Sequence, residues 1–120
     1  MLGIIRQLLL VIGIVLTVNV HAATQDYDLL PGKPLRVTIA TTDALKVTCD
    51  MRMTDNYNHS LTIRMLNGYA VINGTSLKKG QSMSISIHHL QLIPIVAAPG
   101  TDVEFNNLGP TAIKALCTIL

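Results

Sequence analysis

The chain has 120 residues, 49% of them hydrophobic and only 13% charged, with a formal net charge of +2. That length supports one domain with a modest core, and so weak a charge excludes the dense basic stripe that nucleic acid or an anionic membrane surface requires. With one phenylalanine, three tyrosines and no tryptophan, any core has to be filled by aliphatic side chains and methionine.

The first residues, Met1 to Arg6, carry one positive charge and no acid, and an almost wholly apolar run follows from Leu8 to Val20. Val20-His21-Ala22 then places compact residues at the third and first positions before Ala23. A charged start, an apolar centre and a small-residue cut site make a secretory signal peptide, expected at 1–22, and the apolar centre is shorter than the ~20 residues of a membrane span. A retained anchor is the rival reading. Residues 23–120 would then form a single exported domain, with no stable membrane span after cleavage. Its eight Lys and Arg against seven Asp and Glu leave a net charge near +1. The leader does not distinguish periplasm from exterior; its brevity suggests a bacterial source.

From Ala23 the chain is polar until Tyr27, Leu29 and Leu30, and then breaks at Pro31-Gly32, which predicts a short edge strand and a turn. Leu35 to Ala40 alternates, with Leu35, Val37 and Ile39 inward. Leu45 to Met53 places Leu45, Val47, Cys49, Met51 and Met53 on one face and Lys46, Thr48, Asp50 and Arg52 on the other, the pattern of a half-buried antiparallel strand. Ser60 to Leu66 alternates again, with Leu61, Ile63 and Met65 inward. Asn67-Gly68 predicts a hairpin into Tyr69 to Ile72, and Asn73-Gly74 predicts a second turn, since both residue types accept positive φ. Leu77 is expected to anchor a brief turn. Ser82 to Ile87 alternates serine with Met83, Ile85 and Ile87. Leu90 to Ala98 contains Pro94, which cannot donate to a ladder, so an edge or bulged strand is expected there. Val103 and Phe105 begin another strand. Thr111 to Leu120 closes the chain with Ile113, Ala115, Cys117 and Ile119 on one side. No stretch after Ala22 has a helical period.

About seven to nine short strands, punctuated by turn residues every eight to twelve positions, predict an all-β, antiparallel two-sheet sandwich or small barrel. Cys49 and Cys117 are the only cysteines, and in an exported small domain such a pair is expected to form a disulfide. Closing so long a loop is worth about 4 kcal/mol in the chain-entropy model. Two inward cysteines in an early strand and a late one resemble the inter-sheet bond of immunoglobulin-like domains. The resemblance is architectural and covers most of the mature chain. It implies an immunoglobulin-like sandwich in which the row of Cys117 meets that of Cys49 across the core. The core tryptophan is missing, and Ala115 stands where a tyrosine corner would place tyrosine.

Chemistry is sparse. His59, His88 and His89, with Met51, Met53, Met65 and Met83, invite a copper site, because imidazole and thioether suit that metal. The methionines fall on inward faces, however, and His88 and His89 point to opposite sides of a regular strand. Ser82, Ser84 and Ser86 line one face, without a Gly-x-Ser-x-Gly elbow or an orienting triad. No paired carboxylates, Cys-x-x-Cys or phosphate-cradling glycine loop is visible. Asn58-His59-Ser60 and Asn73-Gly74-Thr75 fit the glycosylation acceptor pattern but are also turn residues. An enzyme is therefore not expected, nor a cofactor. The expected role is a non-catalytic binding or structural module, periplasmic or secreted, whose partner is a protein or glycan. Its contacts are expected at the edge segments marked by Tyr27 and Leu30 and by Leu92 and Pro94. A periplasmic metal-binding protein is the alternative.

Overall fold

The computed structural model describes residues 24–120 and, ahead of them, the short segments Leu9–Val11 and Val15–Thr17. Apart from those segments, the expected leader at 1–22 and its cut before Ala23 lie outside the described residues. Residues 24–120 form ten strands: β1 (Thr24–Leu29), β2 (Leu35–Ile39), β3 (Leu45–Arg52), β4 (His59–Asn67), β5 (Tyr69–Ile72), β6 (Thr75–Lys78), β7 (Ser82–Ile87), β8 (Gln91–Ala97), β9 (Asp102–Asn107) and β10 (Ile113–Ile119). They build two antiparallel sheets facing each other, six strands in the order β1-β10-β3-β8-β5-β6 and four in the order β2-β9-β4-β7. The all-β sandwich expected from the alternation is what forms, with one strand more than the upper expectation. The addition is β6: Thr75–Lys78 pairs with Tyr69–Ile72, where a brief turn at Leu77 was expected.

Alternation fixes the inner faces. Leu61, Ile63 and Ile87 from the four-stranded sheet meet Ile72, Ile93 and Ile113 from the six-stranded one, all of them fully buried. Within residues 24–120 nearly every connection crosses from one sheet to the other, and only β5 and β6 form a local hairpin. That hairpin turns on Asn73 and Gly74, at φ of 50° and 82°, the two positive angles of a type I′ turn. Asn67-Gly68 does not make the expected hairpin. β4 and β5 belong to different sheets, so this step is an arch. Gly68, at φ 86°, lies against Thr101, where a Cβ would come within 2.7 Å of the Thr101 backbone. The Thr101 hydroxyl donates to the Tyr69 carbonyl at 2.9 Å and accepts the Tyr69 N–H at 3.3 Å. An Asn-Gly pair announces positive φ; whether the next strand pairs locally or in the other layer is decided by packing.

Two other expectations are corrected. The Cys49–Cys117 disulfide forms, but it lies within the six-stranded sheet. The two residues sit directly opposite on neighbouring strands β3 and β10, with Cα atoms 3.9 Å apart. Side-chain parity specifies the face of a strand, not its layer, and two inward cysteines on adjacent strands satisfy the same pattern as two across the core. The second correction concerns Pro94. β8 is central, flanked by β3 along its whole length and by β5 only at Ile95–Ala97. The Pro94 carbonyl accepts Asn73 N–H at 2.8 Å. In an antiparallel strand the N and O of one residue face the same neighbour, so the missing N–H falls on the side where β5 has already ended. Proline is tolerated because Gln91 to Pro94 lies outside the β5 ladder.

Candidate functional site

β8 alternates inward Ile93 and Ala97 with outward Leu92, Pro94 and Val96. The inward residues join the core, while Leu92 is 60% exposed and Val96 39%. Val96 lies opposite half-buried Val71 on β5, and Tyr69, at the start of β5, is also exposed. On the other flank, Leu92 is opposite Asp50 and Val96 opposite Lys46. Asp50 in turn accepts a hydrogen bond from the Arg52 guanidinium at 3.0 Å. The result is an apolar stripe along the middle of the outer face of the six-stranded sheet, bordered by charge. The outer face of the four-stranded sheet has the opposite character, presenting Thr62, Arg64, Ser84, Ser86 and Glu104. There Arg36 and Asp102 form a bidentate ion pair. The guanidinium hydrogen bonds hold the Asp102 carboxyl below its ordinary value, against a smaller opposing effect of burial.

The four expected contact residues separate. Leu30, Leu92 and Pro94 are exposed. Tyr27 lies on the edge strand β1 as expected, but its side chain packs against the core and its hydroxyl is shielded from solvent without a hydrogen-bond partner. Burial pushes the Tyr27 phenol up to about 12. The exposed row Leu92, Pro94 and Val96 therefore sits on the face of a central strand, while Leu30 stands just after the edge strand β1.

The three histidines lie at one end of the sandwich, since His59 on β4 pairs with Ile87, the residue before His88. Their rings are committed separately. His59 is buried, with Nε2 3.1 Å from both carboxylate oxygens of Asp55 and Nδ1 3.2 Å from Asn107 Oδ1. The amide of Asn107 has only one consistent orientation. Its nitrogen donates to the Leu29 and Thr111 carbonyls, and its oxygen accepts Gly109 N–H, so His59 Nδ1 is the donor to that oxygen. Thr111 Oγ1 donates to Asp55 at 2.5 Å. This bond leads the causes that lower the Asp55 carboxyl, with those from His59 smaller. Gly109 covers the ring so closely that a Cβ there would clash with His59 Nδ1. His89 Nδ1 accepts Met53 N–H at 3.0 Å, and His88 Nδ1 lies 3.2 Å from the His89 carbonyl. Met51, Met53 and Met65 are core residues, and among the described residues no three His, Cys, Asp or Glu side chains gather as metal ligands. The His59 cluster ties the loop at Asp55 and the one at Gly109–Thr111 to β4 and β9. With both ring nitrogens engaged and no open face, it works as a buried clasp.

This clasp escaped the sequence reading, since Asp55, His59, Asn107 and Thr111 are spread over fifty residues of chain with no spacing signature. No helix among the described residues is long and apolar enough to cross a membrane. No protein-family model and no curated protein matches the sequence.

Proposed function

We propose that the chain is an exported, non-catalytic binding module of immunoglobulin-like architecture, which engages a protein partner through the outer face of its six-stranded sheet. The observation that carries this reading is the outward row Leu92, Pro94 and Val96 in the middle of that face. Apolar side chains side by side on a flat, solvent-facing sheet have a standing reason to be covered. A protein is favoured over a glycan because the stripe is aliphatic and offers a single exposed tyrosine, whereas sugar recognition relies on aromatic platforms and polar forks. The Cys49–Cys117 bond supports an oxidising compartment, and an N-terminus at Ala23 in the protein purified from its native cells would establish cleavage. The immunoglobulin likeness is one of layering, since the cystine lies within a sheet.

The test is a Leu92→Lys/Val96→Lys double variant. Both side chains point to solvent, so stability should change by no more than about 0.5 kcal/mol per site. The wild-type protein should retain a saturable partner in cross-linking from native cells and the variant should lose it. Equal cross-linking by both proteins would remove the stripe from the argument, and an association between copies of this chain would show in sedimentation.

A further inference from the structure

Within residues 24–120 the sheets end in four strands, β1 and β6 on the six-stranded sheet and β2 and β7 on the four-stranded one. An open edge is a template for another strand, and proteins blunt it with charge, proline or shortness. Three of these ends are blunted. β1 turns Asp26 and Asp28 outward and runs into Pro31. β6 is four residues long and ends on Lys78. β2 begins just after Pro34 and turns Arg36 outward. β7, Ser82-Met83-Ser84-Ile85-Ser86-Ile87, has six residues with neither charge nor proline.

Among the described residues β7 pairs only with β4. The parity of that ladder is fixed at its start, where Met65 N–H donates to the Gln81 carbonyl and the Met65 carbonyl accepts Gly80 N–H, both at 2.8 Å. Ile63, Leu61 and His59 share the parity of Met65 and stand opposite Met83, Ile85 and Ile87. Those three residues of β7 therefore direct their N–H and C=O groups at β4, and Ser82, Ser84 and Ser86 direct theirs away from it. The side chains of the edge are incompletely covered as well. Ile87 is fully buried, but Met83 and Ile85, which face the same layer, are only half-buried against the core.

We propose that β7 is the surface through which two copies of this chain pair, edge to edge and antiparallel, about a two-fold axis at Ser84. The pattern of the strand selects this occupant. From Ser82 to Ser86 it reads serine, apolar, serine, apolar, serine in both directions. Pairing centred on Ser84 sets Ser82 against Ser86 of the second copy and Met83 against its Ile85. The serines then form the hydrogen-bonded pairs, each exchanging two backbone bonds, and Met83 and Ile85 form the closer pairs in which apolar side chains cover each other. No like charges meet in the paired span. An axis perpendicular to the sheet keeps both inner faces on one side, so one sheet runs through both copies. The contact uses the same edge of each copy and closes at two. A foreign strand would find no charge on β7 to fix its register, whereas the symmetric pattern fixes that of a second copy. One strand a side makes a small interface, so the pair should exchange with monomer.

Sedimentation equilibrium of the purified oxidised protein should show a mass rising from one chain toward two over roughly 1–500 µM, and no further. Amide exchange at Ser82, Ser84 and Ser86 should slow over the same range. Ser84→Lys sets like charges opposite each other at the axis, and Ser84→Pro removes an N–H that the monomer does not use. Each should keep the wild-type urea midpoint, measured at monomeric dilution, and weaken association at least tenfold; Ser84→Lys, at an exposed position, carries the test if proline unfolds the strand. Ser84→Cys should cross-link the two chains on oxidation, since Cα atoms of a hydrogen-bonded pair stand about 5.5 Å apart, within reach of a cystine. A mass of one chain throughout overturns the proposal, including the case in which native-cell cross-linking at β7 captures a foreign chain. Association that survives in folded Ser84→Lys or Ser84→Pro protein overturns it too. Association lost in Leu92→Lys/Val96→Lys but kept in Ser84→Pro assigns self-pairing to the β8 stripe and likewise overturns it. The reverse result supports it, whatever partner the stripe engages.

Discussion

Reducing the Cys49–Cys117 disulfide should cost about 4 kcal/mol of stability without changing the folded structure. The bond joins residues 68 apart in sequence, and closing a loop of that length removes chain entropy from the unfolded state worth about 4 kcal/mol. In the folded sheet the β3–β10 ladder already holds the two positions opposite each other. The bond therefore adds little to the native state beyond what strand pairing supplies, and the reduced thiols remain as small buried hydrophobes. Domains of this size have roughly 5–15 kcal/mol in all, so the loss is a quarter or more of the total. At about 4–8 °C per kcal/mol, Tm should drop by roughly 15–30 °C. Urea unfolding with and without reductant is the assay, comparing wild-type forms so that no side-chain volume is lost. If the unfolded-state account is right, m also rises on reduction, because a chain released from its cross-link exposes more surface. A loss below about 1 kcal/mol with m unchanged would refute the entropic reasoning. A large loss with disordered β1 and β10 would show instead that the bond is needed to hold the sheet.

Acid should weaken the fold in a defined way. Asp55 and Asp102 are both held below the ordinary value of 3.8, Asp55 chiefly by the Thr111 hydroxyl and Asp102 chiefly by Arg36. The stability these carboxylates add is fully present above their unfolded value and drains away as pH falls through the lowered ones. Urea midpoints should therefore decline below about pH 4, and Asp102→Asn should flatten that decline; an identical slope in the variant would contradict the assignment. Gly109→Ala should cost about 1–3 kcal/mol as an overpacked site, because its Cβ would clash with the His59 ring, and an unchanged urea midpoint would show that the loop yields freely.

The faces of the strands were legible because period-two alternation is strict in β3, β4, β7 and β10, and every inward residue read there is buried or half-buried. What alternation cannot carry is the identity of the neighbouring strand. That is why Asn67-Gly68 suggested a hairpin where the chain arches between layers, and why the cystine was expected across the core. Pro94 misled for a related reason. Its constraint is local, excluding one hydrogen bond on one side, and a central strand meets it when the neighbour on that side is short. The stripe at Leu92, Pro94 and Val96 was visible as an apolar run, but only the sheet order shows that these residues stand on an open face. The His59 clasp was invisible, being made by residues distant in sequence.

Polar satisfaction separates the devices of the fold from the features that call for a partner. His59, Asn107 and Thr101 are fully buried, and each has its hydrogen bonds met by residues that hold arches and loops in place; architecture accounts for them completely. Among the described residues three shielded polar side-chain atoms lack a partner: Asp50 Oδ1, Asn106 Oδ1 and Tyr27 Oη. Asp50 binds Arg52 through its other oxygen and borders the exposed stripe. Asn106 lies on the polar outer face, beside Thr62. Both stand on outward sides of their sheets, where a small side-chain movement reaches water. Tyr27 differs in packing inward against the core, from a strand whose outward residues Thr24, Asp26 and Asp28 are already in solvent. Its hydroxyl contributes nothing to the packing that a phenylalanine would not. Phenylalanine at position 27 should therefore keep the packing of β1 while removing the one inward-facing polar atom that folding leaves unsatisfied.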